Sequence, residues 1–233
     1  MIDIFIKSCA KDFKWLEYCL KSISKNVTGF GKVVLLIPIE DLAKYSEMVL
    51  PINVIVDLHL TNEYGNRYLF QQWCKMSAYK FTDAKYIMFV DSDCIFPKEV
   101  DLIDLVKDNK PEILYTHYSK VGDAICWKQC TDRFMNEDVE FEFMRRNGLI
   151  YHRNSLEKIH SLELNLESII MNSAQFSEFN AIGAWCFKHE QGKYSFVNTD
   201  LGTFGNATVW QGWTWGDVNY NKNQEREIKK MLE

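Results

Sequence analysis

No apolar run in this 233-residue chain approaches the roughly 20 residues that a helix needs to cross a bilayer, so no membrane span is expected. Proline is scarce, with four residues, and no Gly/Ser-rich or charge-rich stretch interrupts the chain. Nothing therefore marks a linker, and residues 1–233 are expected to form a single domain. An excess of positive charge is also lacking: 27 basic against 32 acidic residues give a formal net charge of −5. That balance exerts no general pull on a polyanion and argues against strong non-specific nucleic-acid binding. Lys75, Lys80 and Lys85 could still form a local basic patch for an anionic ligand. The seven cysteines lack zinc-like pairing, since Cys126 and Cys130 are accompanied by no second pair and no histidine pair. An odd cysteine count with no signal peptide implies reduced thiols and a cytoplasmic setting.

What is present is enough apolar material, 47% of residues with 14% aromatic, to bury a sizeable core. Ile2 to Ile6 reads as a short buried strand. Trp15, Leu16, Cys19, Leu20 and Ile23 then recur at helical spacing until Gly29 and Gly31. Val33 to Ile37 is a continuous apolar run, the mark of a strand buried on both faces. The pattern continues with a helix through Leu42, Tyr45 and Val49, a strand from Ile52 to Leu58, a helix from Leu69 to Phe81 and a strand from Tyr86 to Val90. Strands alternating with helices predict an α/β fold with a mostly parallel central sheet flanked by helices. Beyond it, helices are predicted over Leu102–Val106, Ser155–Leu162, Leu166–Phe176 and Glu225–Leu232, with a strand at Ile113–Thr116.

Asp91-Ser92-Asp93 follows the last strand of the first half directly. Ligands gather at the carboxyl ends of the strands in such sheets. Two carboxylates one residue apart on a turn can reach the same hard cation, and Mg²⁺ or Mn²⁺ prefers oxygen ligands completed by water and phosphate. The structural alternative is that the two aspartates only cap the turn. The segment "YIMFVDSDCIF" (86–96) resembles the Asp-x-Asp segment of GT-A glycosyltransferases. "IDIFIKSCAKDFKWLEYCLKSI" is similar to their first strand and helix. "YLFQQWCKMSAYKF" and "FSEFNAIGAWCF" resemble segments of an uncharacterised branch of GT-A-like proteins.

The resemblance implies a single GT-A-like domain, with a nucleotide-sugar and metal half (1–96) and an acceptor half (97–233). It implies Mn²⁺ or Mg²⁺ on Asp91 and Asp93, and a nucleotide-sugar donor, UDP-sugar by analogy. The donor would lie among Ser8, Asp12, Asp57, Gln71, Gln72, Lys75, Asp91 and Ser92. Glu178 would be the base for the acceptor hydroxyl, and its alternative is a carboxylate at a helix N-terminus. GT-A enzymes often add a later histidine ligand, but none follows His189, which leaves Asp217 or water. The acceptor is a glycan or glycoconjugate by default, with hydroxymethylated DNA bases, as in small phage enzymes, as the alternative. A haloacid dehalogenase-like phosphatase would use Asp91 as nucleophile, but its motif belongs on the first strand. A catalytically silent sugar-nucleotide-binding module is the remaining class. Trp210, Trp213 and Trp215, with Gly212 and Gly216, could form a stacking platform for sugar or base. His152, Arg153, Arg145 and Arg146 are either phosphate-facing or surface charge.

Overall fold

The computed structural model of the protein describes residues 1–59, 66–122, 124–145, 149–162, 166–201, 209–212 and 218–233. In chain order the first half contains β1 (Ile2–Lys7), α1 (Phe13–Asn26), β2 (Val33–Pro38), β3 (Val54–His59), α2 (Arg67–Met76) and β4 (Tyr86–Phe89). The second contains β5 (Lys110–His117), α3 (Lys128–Met135), β6 (Leu149–His152), α4 (Arg153–Ser161), α5 (Leu166–Met171), α6 (Glu178–His189), β7 (Ser195–Asn198) and α7 (Val218–Leu232).

The central sheet has five strands in the order β6-β4-β1-β2-β3. Pairing is parallel from β4 through β3, and only the edge strand β6 runs antiparallel, with Ile150 opposite Met88. The predicted α/β architecture with a mostly parallel, helix-flanked sheet is thus the observed one. A smaller sheet centres on β5, which pairs parallel with β7 and antiparallel with Phe141–Glu142.

The alternation of β1 divides the core. Ile4 and Ile6 face α1, where Leu16, Leu20 and Ile23 are fully buried beside Leu35 and Met88. Each such side chain contributes about 1.5–3 kcal/mol by leaving water. Phe5 faces the other way, among Leu36, Phe89 and Tyr151, under residues of α2 and α6 such as Met76 and Ile182. Both covering helices start from side-chain caps. Asn66 Oδ1 accepts from the backbone of Tyr68 and Leu69 at 3.1 and 3.2 Å, and Ser177 Oγ accepts from Asn180 N at 3.3 Å. Such caps are each worth about 1 kcal/mol.

Several expected boundaries shift. The helix expected through Val49 closes after one turn at Tyr45, followed by only turn-like hydrogen bonds to Met48. The helix from Leu69 starts at Arg67, because Asn66 is the better cap, and ends at Met76. Leu102–Leu105 is a 3₁₀ turn, wound on Asp101, whose side chain accepts from Ile103 N. The helix expected to reach Phe176 stops at Met171.

Candidate active site

Val90 N still donates to Phe5 O at 3.1 Å, so sheet pairing carries the chain one step past β4 before it turns. Asp91 opens the turn, and Cys94 N closes it on Asp91 O at 2.9 Å. Cys94–Ile95 then pairs with Trp210–Gln211. That pairing brings Gln211 Nε2 to 3.3 Å from Asp93 Oδ1 and Gly212 N to 2.8 Å from Asp93 O. Burial, aided by the Asp91 charge, pushes the Asp93 carboxyl up to about 7. Ser92 between them is buried.

The aspartates meet a second cluster from the helices above. Lys75, near the end of α2, is 3% exposed and places Nζ 2.6 Å from Asp91 Oδ1 and 2.7 Å from Glu178 Oε1. The same ammonium lies 4.6 Å from the centre of the Phe179 ring, a cation–π contact. Burial pulls the lysine pKa down, but Asp91 and Glu178 outweigh it and hold the ammonium above its ordinary value. Burial pushes the Glu178 carboxyl up, with Lys75 opposing. The Gln72 amide abuts Glu178 and, with its nitrogen turned toward that carboxylate, donates to it. Lys75 thus pairs with both Asp91 and Glu178, while Asp93, beyond Ser92, is held by Gln211.

Of the expected donor residues, Lys75, Gln72, Asp91, Asp93 and Glu178 are brought together here, with Ser92 on the turn between the aspartates. Gln71 is half-buried on the same helix, and no described hydrogen bond ties it to the cluster. Asp57 lies in β3 level with Leu36, which is level with Lys7 in β1, so it shares the carboxyl edge two strands away. Ser8 is buried just past β1, its N–H donating to Leu36 O at 3.1 Å, and its hydroxyl makes no described hydrogen bond. Asp12 ends a 3₁₀ turn and accepts from Cys9 Sγ at 3.4 Å.

The other candidates have structural partners. Lys75, Lys80 and Lys85 do not act as one patch: Lys75 is buried, Lys80 lies over Trp73 and Tyr79, and Lys85 donates to Asn109 at 3.1 Å. Arg153 donates to the carbonyls of Tyr79 and Thr82 and pairs with Glu157, while Arg145 pairs with Glu142 at 2.6 Å. The buried His152 ring is within 3.2 Å of Lys193 O, and burial lowers its pKa. Trp210 packs on the cluster of Trp15, Ile95 and Ile228. Trp213, Trp215, Gly216, Asp217 and Arg146 lie outside the described residues.

Two participants escape a reading of the sequence. Gln211 reaches Asp93 only through the pairing of two short strands. Lys7 is a buried cation at the carboxyl end of β1, with Nζ donating to Ser8 O at 2.8 Å, and burial lowers its pKa. A lysine closing an otherwise apolar strand was the available signal. Among the described residues no three His, Cys, Asp or Glu side chains converge as a metal site. Asp91 and Asp93 therefore offer an all-oxygen pair that fits a hard cation completed by water and phosphate.

Among solved structures, the chain is similar to a Bacillus anthracis protein assigned as a glucose-1-phosphate thymidylyltransferase, determined in complex with sucrose. The TM-score is 0.56 at 9% identity, over 98% of this chain and 96% of that one, which is a likeness of fold. No curated protein matches the chain. Residues 4–161 match a described family, and the chain belongs to it: DUF6492, a family of unknown function.

Proposed function

We propose that this protein is a glycosyltransferase that takes its sugar from a nucleotide sugar, a UDP-sugar by analogy, with Mn²⁺ or Mg²⁺ held by Asp91 and Asp93. The observation that carries the reading is the acidic turn just past β4, at the carboxyl edge of the parallel strands: Lys75 pairs with Asp91 and Glu178, while Asp93, half-buried beside Asp91, has no ion-pair partner among the described residues. A cation held by Asp91 and Asp93 would offset the burial and the neighbouring Asp91 charge that together hold the Asp93 carboxyl high. When bound, it supplies positive charge to the departing diphosphate. Lys75, 2.6 Å from Asp91 Oδ1, fixes the direction of that carboxylate. Glu178 is assigned the acceptor proton: one oxygen is committed to Lys75, while the other faces Gln72, a neutral amide that an acceptor hydroxyl can displace. The −5 net charge favours a saccharide acceptor over DNA.

The test needs no acceptor. Nucleotide release is measured from a panel of nucleotide sugars with Mn²⁺, Mg²⁺ or chelator, in wild type and Asp93→Asn. Expected is metal-dependent release from one donor, lost in the variant. Absence of donor binding in the presence of metal overturns the reading, and phosphate release from simple phosphate esters would replace it with a phosphatase.

A further inference from the structure

An open cavity of about 390 Å³ lies at the start of α2, lined by Asn66, Tyr68, Trp127, Ala174 and Gln175. Its volume is within the range of small-molecule sites. Tyr68 is 44% exposed although its hydroxyl is committed, donating to Phe176 O at 2.6 Å and accepting from Trp127 Nε1 at 3.3 Å. The exposed part of Tyr68 is therefore chiefly ring, held rigidly beside a second aromatic side chain. Asn66 uses Oδ1 to cap α2, and its amide nitrogen makes none of the described hydrogen bonds. Gln175 is an exposed amide. Among the described residues, the lining carries no ionisable acid or base apart from the tyrosine.

Position links this cavity to the chemistry. Phe176, which accepts from Tyr68, lies two residues before Glu178. Tyr68, Gln72 and Lys75 fall at i, i+4 and i+7 on α2 and so share one helix face. That face runs from the cavity to Asp91 over about 10 Å, the rise of seven residues. Aromatic rings stack on the apolar face of a pyranose, and neutral amides bond its hydroxyls without selecting charge.

We propose that this cavity is a binding subsite for a neutral hexopyranose, stacked on Tyr68 and Trp127 and held by Asn66 and Gln175, at the start of the α2 face that leads to Gln72 and Glu178. The inference rests on the transferase reading and deepens it by naming the acceptor class.

The test is saturation-transfer difference NMR with methyl glucoside, methyl galactoside, methyl mannoside and N-acetylglucosamine, with glucuronate as the charged control. It is run on wild type, Trp127→Ala and Gln175→Ala, and far-UV circular dichroism checks the fold of each. Expected is millimolar binding of at least one neutral sugar, weakened about three- to tenfold in each variant. No binding to wild type at up to about 50 mM, binding indifferent to both substitutions, or a preference for glucuronate overturns the proposal. Titration of the same samples with UDP-glucose and Mn²⁺ separates the two readings. Sugar binding without donor binding retains the subsite and removes the donor assignment, and donor binding without sugar binding does the reverse.

Discussion

Replacing Lys75 with methionine keeps most of the side-chain volume and removes the charge that pairs with Asp91 and Glu178. The consequence differs for its two direct partners because their exposures differ. Asp91 is 26% exposed and recovers hydration when its partner is lost, whereas Glu178, at 3%, cannot. Removing one member of a buried ion pair costs about 3–5 kcal/mol, most of it the uncompensated charge left behind. Lys75→Met should therefore lose about 3–4 kcal/mol, with nearly all of that loss residing at Glu178. Adding Glu178→Gln should recover at least about 2 kcal/mol, since a neutral amide beside Gln72 is cheaper to bury than a carboxylate. Adding Asp91→Asn should recover less than about 1 kcal/mol. Urea unfolding at pH 7, followed by far-UV circular dichroism, reads all of these values, and unchanged m-values would license the comparison. A loss below about 1 kcal/mol in Lys75→Met, or equal rescue by Asp91→Asn and Glu178→Gln, would refute the assignment of the ammonium to Glu178.

Three further outcomes are expected. Glu190 is buried, and burial alone would raise its pKa, but hydrogen bonds from Lys158, Lys193 and Ser155 prevail and lower it to about 2. The folded value lies below the unfolded one, so its contribution is complete above about pH 4.5 and is lost as pH falls toward 2. Glu190→Gln should therefore cost about 1–3 kcal/mol in urea unfolding at pH 7, with the deficit shrinking below pH 4.5; a deficit that grows on acidification would contradict the sign. Gly183→Ala adds a favourable helix former to α6 but places its Cβ inside the Phe143 side chain, so it should lower Tm and cost about 1–3 kcal/mol; stabilisation would show that Phe143 can move aside. Cys126 is the exposed thiol among seven cysteines without disulfides, Cys9 is half-buried and the other five are buried, so Ellman's reagent should titrate Cys126 fastest in the native protein and the five buried thiols only in denaturant. Cys126→Ser should abolish that fast phase.

The parts legible in the sequence are those whose signal is local. Val33–Ile37 and Tyr86–Val90 are continuous apolar runs because both faces of a parallel strand are covered, and the structure places them in the middle of the sheet. Asp91 and Asp93 stood out because charge directly after such a run has to lie at the strand's carboxyl end. β6 lacked that signal: it is a four-residue edge strand, too short to show a period. α3 begins at Trp127, with no side-chain cap to announce it, and ends in a left-handed Asn136. Gln71 lies four residues before Lys75 and so near the same helix face, but Gln72, three residues before Lys75, is the amide that reaches Glu178. Spacing fixes an angle around the helix axis; which side of that angle meets α6 is settled by how the two helices pack on Phe89 and Phe179.

The same helix is what connects the cluster to the cavity. Asn66 both caps α2 and lines the cavity, and Lys75 in the last turn meets Asp91 and Glu178, so one rigid element spans the full distance. A loop could place either end but would not hold them in fixed separation. Ser177 does the equivalent for α6, capping the helix whose first residue is Glu178 while Gln175, two residues earlier, lines the cavity. Each helix therefore contributes its N-terminal approach to the cavity and a charged residue to the cluster. A ligand seated in the cavity would contact the starts of both helices at once. Its hydroxyl would reach the buried Glu178 only once the Gln72 amide yields, with both helices left in place, which is the preorganisation that a transfer between two bound substrates requires.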